Sequence, residues 1–265
     1  MAEIVQHGLL RASDVAHQTA TSRSANGVVY ASFGDNDVND QDLGRMVQAV
    51  PSAIASALAG KAYYFVPLAL AEGRPETHPN GPRTHTEETM IAPAYTVELG
   101  DEAICHRNVK LGDTEGVFIS TRVLNDRFAL AFEFFINVGH AFVDAAGVPD
   151  AFTELAWSQV VADVRGETSQ DAFESRNLAY TADPDRKGGH RIDEKAKLTF
   201  LESAFSDSLA IYLLSLAVDF DYAELREREY PLLAATALAE RLRLVAKLFP
   251  PNPGYEFAIR YRRRA

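Results

Sequence analysis

Apolar and polar positions alternate in two different rhythms along this chain. In the first half, short apolar runs are broken by Gly and Pro clusters, which predicts strands. Lys61–Leu70, Met90–Leu99, Ala103–Val109 and Gly116–Thr121 are four such runs. Pro67 places the first at a sheet edge or a bulge, because proline cannot donate to a ladder. Gly112 to Gly116 reads as the turn between the last two. After residue 125 the period lengthens to that of helices, predicted over about 126–146, 149–164, 193–217, 222–229 and 231–248. Earlier, 41–59 reads as helical, with Pro51 opening a second short helix. Residues 166–191 read as a long polar loop, and 255–261 as a short terminal strand. A strand-rich half followed by a helix-rich half is an α+β pattern. The expected organisation is a helical N-terminal extension over 1–60, then an α+β domain over 61–265. That domain carries a small mixed sheet of about four strands, followed by a mainly helical half.

One helix stands apart. In Phe128–Gly147 the polar residues Glu133, Asn137, His140 and Asp144 are spaced 4, 3 and 4, among Phe, Leu, Ile, Val and Ala. At about 100° per residue they fall within roughly 60° of one another. A helix apolar on nearly all sides is expected to be buried. Buried polar groups need partners. The seam is therefore either a structural hydrogen-bond network or a site, with Glu133, Asn137 and His140 as the candidate catalytic residues. His140 and Asp144, at i and i+4, point the same way. They can share a metal ion, hydrogen-bond to each other, or work as an oriented base.

Composition narrows the classes. With 265 residues, 47% hydrophobic and 24% charged, the chain reads as an ordinary globular protein. The formal net charge of -11 argues against a nucleic-acid or anionic-membrane binder. The basic tail Arg260–Arg264 is a local exception that reads as a solvated terminus. The single cysteine, Cys105, excludes an intrachain disulfide and a cysteine-based zinc site, and its strand-like context predicts a small core residue. No secretory signal pattern and no apolar run of 18 residues appear, so no membrane span and a cytoplasmic location are expected. Gly-x-Gly-x-x-Gly, the phosphate-binding loop and the Gly-x-Ser-x-Gly elbow are all absent. Gly34–Asp40 is a turn cluster with Met46 at the twelfth position, where a calcium loop needs Glu, so its role is to cap the next helix.

The seam also carries a resemblance. Ile136-Asn137-Val138-Gly139-His140-Ala141 resembles the active-site helix of zincin metallopeptidases, whose motif is His-Glu-x-x-His, often extended as His-Glu-Leu-Gly-His-Ala. Gly116–Thr121, just before it, resembles the zincin strand that lies along the active-site cleft. In the gluzincin branch a later helix supplies a Glu ligand within Asn-Glu-x-x-Ser-Asp. Here Glu202-Ser203-Ala-Phe-Ser206-Asp207 resembles that phrase, with the ligand position on Ser203 or, one residue out of register, on Glu202. The departures matter. Ile136 stands at the first His and Asn137 at the catalytic Glu; isoleucine cannot bind zinc, and an amide is no base.

The resemblance spans about 116–233. It implies a zincin-like fold with a degenerate centre that binds a peptide or protein without hydrolysing it, with no metal. Alternatively it implies a metal-dependent enzyme, a hydrolase, with a non-standard site in which a divalent metal (zinc, manganese or iron) is held by His140, Asp144 and Glu202. Arg122 and Asp207 are the candidate substrate-binding residues. A separate alternative uses the loop 76–88, where His85 and Glu87, with His140, form a two-His-one-carboxylate set for a non-haem iron oxygenase.

Overall fold

The computed structural model describes residues 8–70, 89–124, 126–183, 189–225 and 230–259. The α+β expectation is borne out: small sheets of four, five and two strands are followed by a mainly helical C-terminal half. The chain forms two compact units. The first combines residues 1–48 and 59–133, and the second 49–58 and 134–265, so the units cut the chain differently from a division at residue 60.

In chain order the first unit opens with β1 (Leu10–Arg11), α1 (Ala12–Gln18), β2 (Ser22–Arg23), β3 (Val29–Ser32) and α2 (Asp40–Gln48). α3 (Ser52–Ala57) belongs to the second unit. The first unit resumes with β4 (Lys61–Val66), β5 (Leu68–Leu70), β6 (Met90–Ala92), α4 (Val97–Gly100), β7 (Ala103–Ile104), β8 (His106–Leu111) and β9 (Thr114–Ser120). The five-stranded sheet has the order β2-β3-β4-β9-β8. β3, β4 and β9 run parallel, while β2 and β8 are antiparallel to their neighbours at the two edges. The N-terminal segment thus supplies β3 directly to the sheet.

β4 lies in the middle of this sheet, not at its edge as Pro67 suggested. Proline acts one residue later. It ends β4, and the chain passes into β5 of a second, antiparallel sheet ordered β1-β6-β5-β7. The expected strand 61–70 is therefore two strands in two sheets. Pro93 likewise shortens the expected strand 90–99: it stops at Ala92, and Thr96 caps α4 by accepting the Leu99 N–H at 3.3 Å. One face of the main sheet packs through Tyr64 and Phe118, stacked at 4.8 Å, onto Val15, Ala69 and Ile91. The other face, with Tyr63, Phe65, Val117 and Ile119, is equally buried. Burial on both faces explains why these strands read as continuous apolar runs.

α5 (Arg127–Ala146) follows β9 and starts where Asp126 accepts the Phe128 N–H at 2.9 Å. It continues into the second unit, with α6 (Asp150–Val161), α7 (Gln170–Ala179), β10 (Tyr180–Ala182), β11 (His190–Ile192), α8 (Glu194–Ala217), a 3-10 turn (Tyr222–Leu225) and α9 (Ala235–Leu248). The expected loop 166–191 thus contains a helix and both strands of a hairpin. Ser169 starts the helix by accepting the Ala172 N–H at 3.2 Å. The expected terminal strand does not form among the described residues 255–259.

α8 is the axis of this unit, buried at every position from Ala204 to Leu214. Phe142, Phe152 and Phe249 surround Phe205 at ring distances of 6.0, 4.9 and 6.4 Å. α5 and α8 cross closely: a Cβ on Gly139 would lie 2.7 Å from the Ser206 carbonyl oxygen. Asn252 ties residues 50–52 to the unit, accepting the Ser52 N–H at 3.0 Å and donating to the Val50 carbonyl at 2.7 Å. By length and composition α5 and α8 are long and apolar enough to cross a membrane, and 50% and 72% of their apolar windows are buried inside the protein.

Candidate functional site

Among the described residues, the first unit carries a strand edge with no paired neighbour, beside a charged pair. A two-residue turn at Gly112 and Asp113 joins β8 to β9, with Leu111 opposite Thr114. Gly112 has φ +65°, a backbone that suits glycine at the first central position of a hairpin turn. The turn sets the register, and His106 falls opposite Ile119. The Cys105 carbonyl accepts the Ser120 N–H at 2.8 Å. Hydrogen-bonded and non-hydrogen-bonded pairs alternate in an antiparallel ladder. Arg107, Val109 and Leu111 therefore bond to β9, while His106, Asn108 and Lys110 direct their backbone N–H and C=O groups outward. No described strand pairs with that edge.

Strand alternation also sorts the side chains. His106, Asn108 and Lys110 are exposed, while Arg107, Val109 and Leu111 are half-buried. His106 meets α5 at the end of the edge strand. Its Nδ1 lies 2.5 Å from the Glu133 carboxylate, with side-chain exposures of 40% and 19%. Glu133 of the seam is thus paired with His106, a residue that the sequence did not single out.

Cys105 sits next to this pair and is exposed, against the expectation of a core position. Its thiol is pushed up from the ordinary range, first by partial burial and then by the negative charge of Glu133. A thiol so placed is held protonated, the opposite of an activated cysteine nucleophile.

The rest of the seam does not form a buried line. Asn137 is buried, but His140 and Asp144 are exposed. The expectation of all-round burial fails because α5 exposes one stripe, and the seam's C-terminal end lies in it. On α8, Glu202 is exposed and Ser203 half-buried. Among the described residues no three His, Cys, Asp or Glu side chains gather in a group that could hold a metal, so His140, Asp144 and Glu202 do not converge. His85 and Glu87 lie outside the described residues. Arg122 is engaged by its own unit: it pairs with Asp37 and donates to the Asp35 carbonyl at 3.3 Å.

Asp207 belongs to a separate network in the second unit. Thr168 donates to it at 2.8 Å, and Ser169 bonds it as well. Burial, reinforced by Glu167 and Asp171, outweighs those bonds and raises its pKa to about 6. Next to it, Glu167 is fully buried and receives Arg241 through both oxygens at 2.9 and 3.3 Å, with Arg176 at 3.4 Å. Arg241 also donates to Gln159 at 2.8 Å. The loop that delivers Glu167 bonds to a second segment: the Glu167 N–H reaches the Pro231 carbonyl, and the Leu233 N–H reaches the Glu167 carbonyl. Gly166 makes that approach possible. It has φ +82°, and a Cβ there would lie 2.1 Å from the Leu232 oxygen. The Glu167–Arg241–Arg176 cluster has the marks of a structural keystone, with its charges paired and enclosed.

Sequence reasoning missed this network, although one signal was present. Arg241 stands on the apolar stripe Leu238, Leu242 and Val245 of α9, where a charged residue must find a buried partner.

No protein family, curated protein or solved structure matches this chain.

Proposed function

We propose that the chain is a peptide- or protein-binding domain, derived from a zincin-like peptidase, that holds an extended segment along β8 without hydrolysing it. The observation that carries this reading is the edge of β8, unpaired among the described residues, with the His106–Glu133 pair at one end. An extended peptide adds to such an edge by main-chain hydrogen bonds, and the flanking side chains select its sequence. Free edges are usually blunted in proteins that do not use them. Lys110 is one such device, but the other two outward positions carry His and Asn.

Three features support the ancestry. A hairpin strand leads directly into the seam helix, a later helix crosses it at Gly139 and Ser206, and that crossing lies beside His140 on one helix and Ser203 on the other. In the resemblance, Gly116–Thr121 stood for the strand along the cleft. That segment is an interior strand here, and the edge role passes to its hairpin partner β8. With Ile136 and Asn137 at the positions of a metal ligand and a base, the hydrolytic step has no machinery at those positions. Asn108→Pro tests the reading. Its N–H points outward, so proline there leaves the β8–β9 ladder intact while removing a donor and blocking an added strand. Dodecapeptides selected from a displayed random library should bind the wild-type chain and lose at least tenfold in affinity on this variant. Equal binding by both would refute the reading.

A further inference from the structure

A concave surface lies wholly in the helical unit, remote in sequence from β8. It is a groove of about 650 Å3 between the C-terminal end of α8, the 3-10 turn, α9 and the segment 256–259. That volume is in the range of sites for small organic ligands, ~300–1,000 Å3. Its lining is mixed, with Leu216, Leu238, Leu242 and Phe257 on the apolar side. Among the described residues its charged lining is of one sign. Asp219, Asp221 and Glu256 contribute carboxylates, and the described lining includes no Lys, Arg or His. Asp219 and Glu256 are exposed and form no ion pair among the described residues.

Charges of one sign around a low-dielectric wall concentrate the opposite charge. An apolar body can be buried against the leucines only if its polar end finds a partner at the mouth. A neutral hydrocarbon leaves the carboxylates unused, and a fatty acid meets repulsion. We infer that this groove binds an amphipathic organic cation, an ammonium group on an alkyl or aromatic body, with the ammonium between Asp219 and Glu256. This site is independent of the β8 edge.

Titration calorimetry of the full chain with n-octylammonium, octanoate and octanol tests it at submicellar concentration. Octylammonium should bind once per chain, at least tenfold more tightly than octanoate or octanol. The double variant Asp219→Asn, Glu256→Gln should weaken octylammonium about tenfold, and wild-type binding should weaken as salt rises. Ala235→Phe, on the exposed start of α9, should fill the groove and abolish binding while the thermal midpoint stays near wild type. Equal affinity for the three probes overturns the proposal. So does binding that both variants leave unchanged. Tighter octylammonium binding after Arg262, Arg263 and Arg264 are replaced by Ala would assign the groove to the chain's own tail and overturn it as well.

Discussion

Asp207→Asn should stabilise this protein near neutral pH, which is the reverse of the usual result of removing a buried charge. Asp207 is 6% exposed, and its folded-state pKa stands at about 6 against 3.8 for the unfolded chain. Its ionised form is therefore the costly one. Between pH 3.8 and about 6 the folded state holds a proton that the unfolded state lacks, so stability falls as pH rises through this window. Above about pH 6 the full penalty is present. A difference of about two pKa units corresponds to about 3 kcal/mol. An asparagine keeps the acceptor for Thr168 and Ser169 without the charge, although its new N–H2 must find partners. The expected gain at pH 7.5 is therefore about 1–3 kcal/mol. Urea denaturation of both proteins from pH 4 to 8 measures it. The gain should shrink to less than about 1 kcal/mol by pH 4, where wild-type Asp207 is protonated in the folded state and about half protonated in the unfolded chain. Subtracting the two curves removes the other carboxylates, which titrate in the same range. A variant less stable than wild type at pH 7.5, with a deficit that grows as pH rises from 4, would show that the network depends on the ionised carboxylate and would refute the reasoning.

The neighbouring pair should behave in the opposite way. Arg241→Ala leaves Glu167 charged and enclosed, and should cost about 3–5 kcal/mol in denaturant titrations. Gly139→Val places atoms into the Ser206 carbonyl at the α5–α8 crossing, and should cost about 1–3 kcal/mol or more by the same measurement. Arg122→Ala removes ion pairs to Asp35 and Asp37, which are 78% and 76% exposed, and should change stability by less than about 1 kcal/mol, the change shrinking further at high salt.

The α+β class was legible because the two periodicities are strong and separate. The hairpin of β8 and β9 was legible too, since a glycine turn between two apolar runs is a local signal. Pro67 was noticed and misplaced. A proline announces a break, but which sheet the chain enters afterwards depends on partners far along the sequence. α7 was missed because Gln170–Ala179 offers few apolar positions, and its start depends on the Ser169 cap. The seam shows the same limit. Spacing placed Glu133, Asn137, His140 and Asp144 on one face, and all four do lie on α5. How far each is buried depends on what packs against that face, so the stripe runs from buried Asn137 to exposed Asp144. His106 could not be paired with Glu133 from sequence, because the contact needs both the hairpin register and the helix position.

The central claim is that β8 holds an extended segment and that the degenerate centre leaves it uncut. The most direct test is to incubate the purified full chain with a library-selected dodecapeptide and follow binding by fluorescence anisotropy and peptide integrity by mass spectrometry in the same samples. The account predicts saturable binding, lost with Asn108→Pro, and a peptide of unchanged mass after prolonged incubation with added zinc. Cleavage that disappears with His140→Ala would contradict it, and so would a peptide whose binding does not depend on the β8 edge.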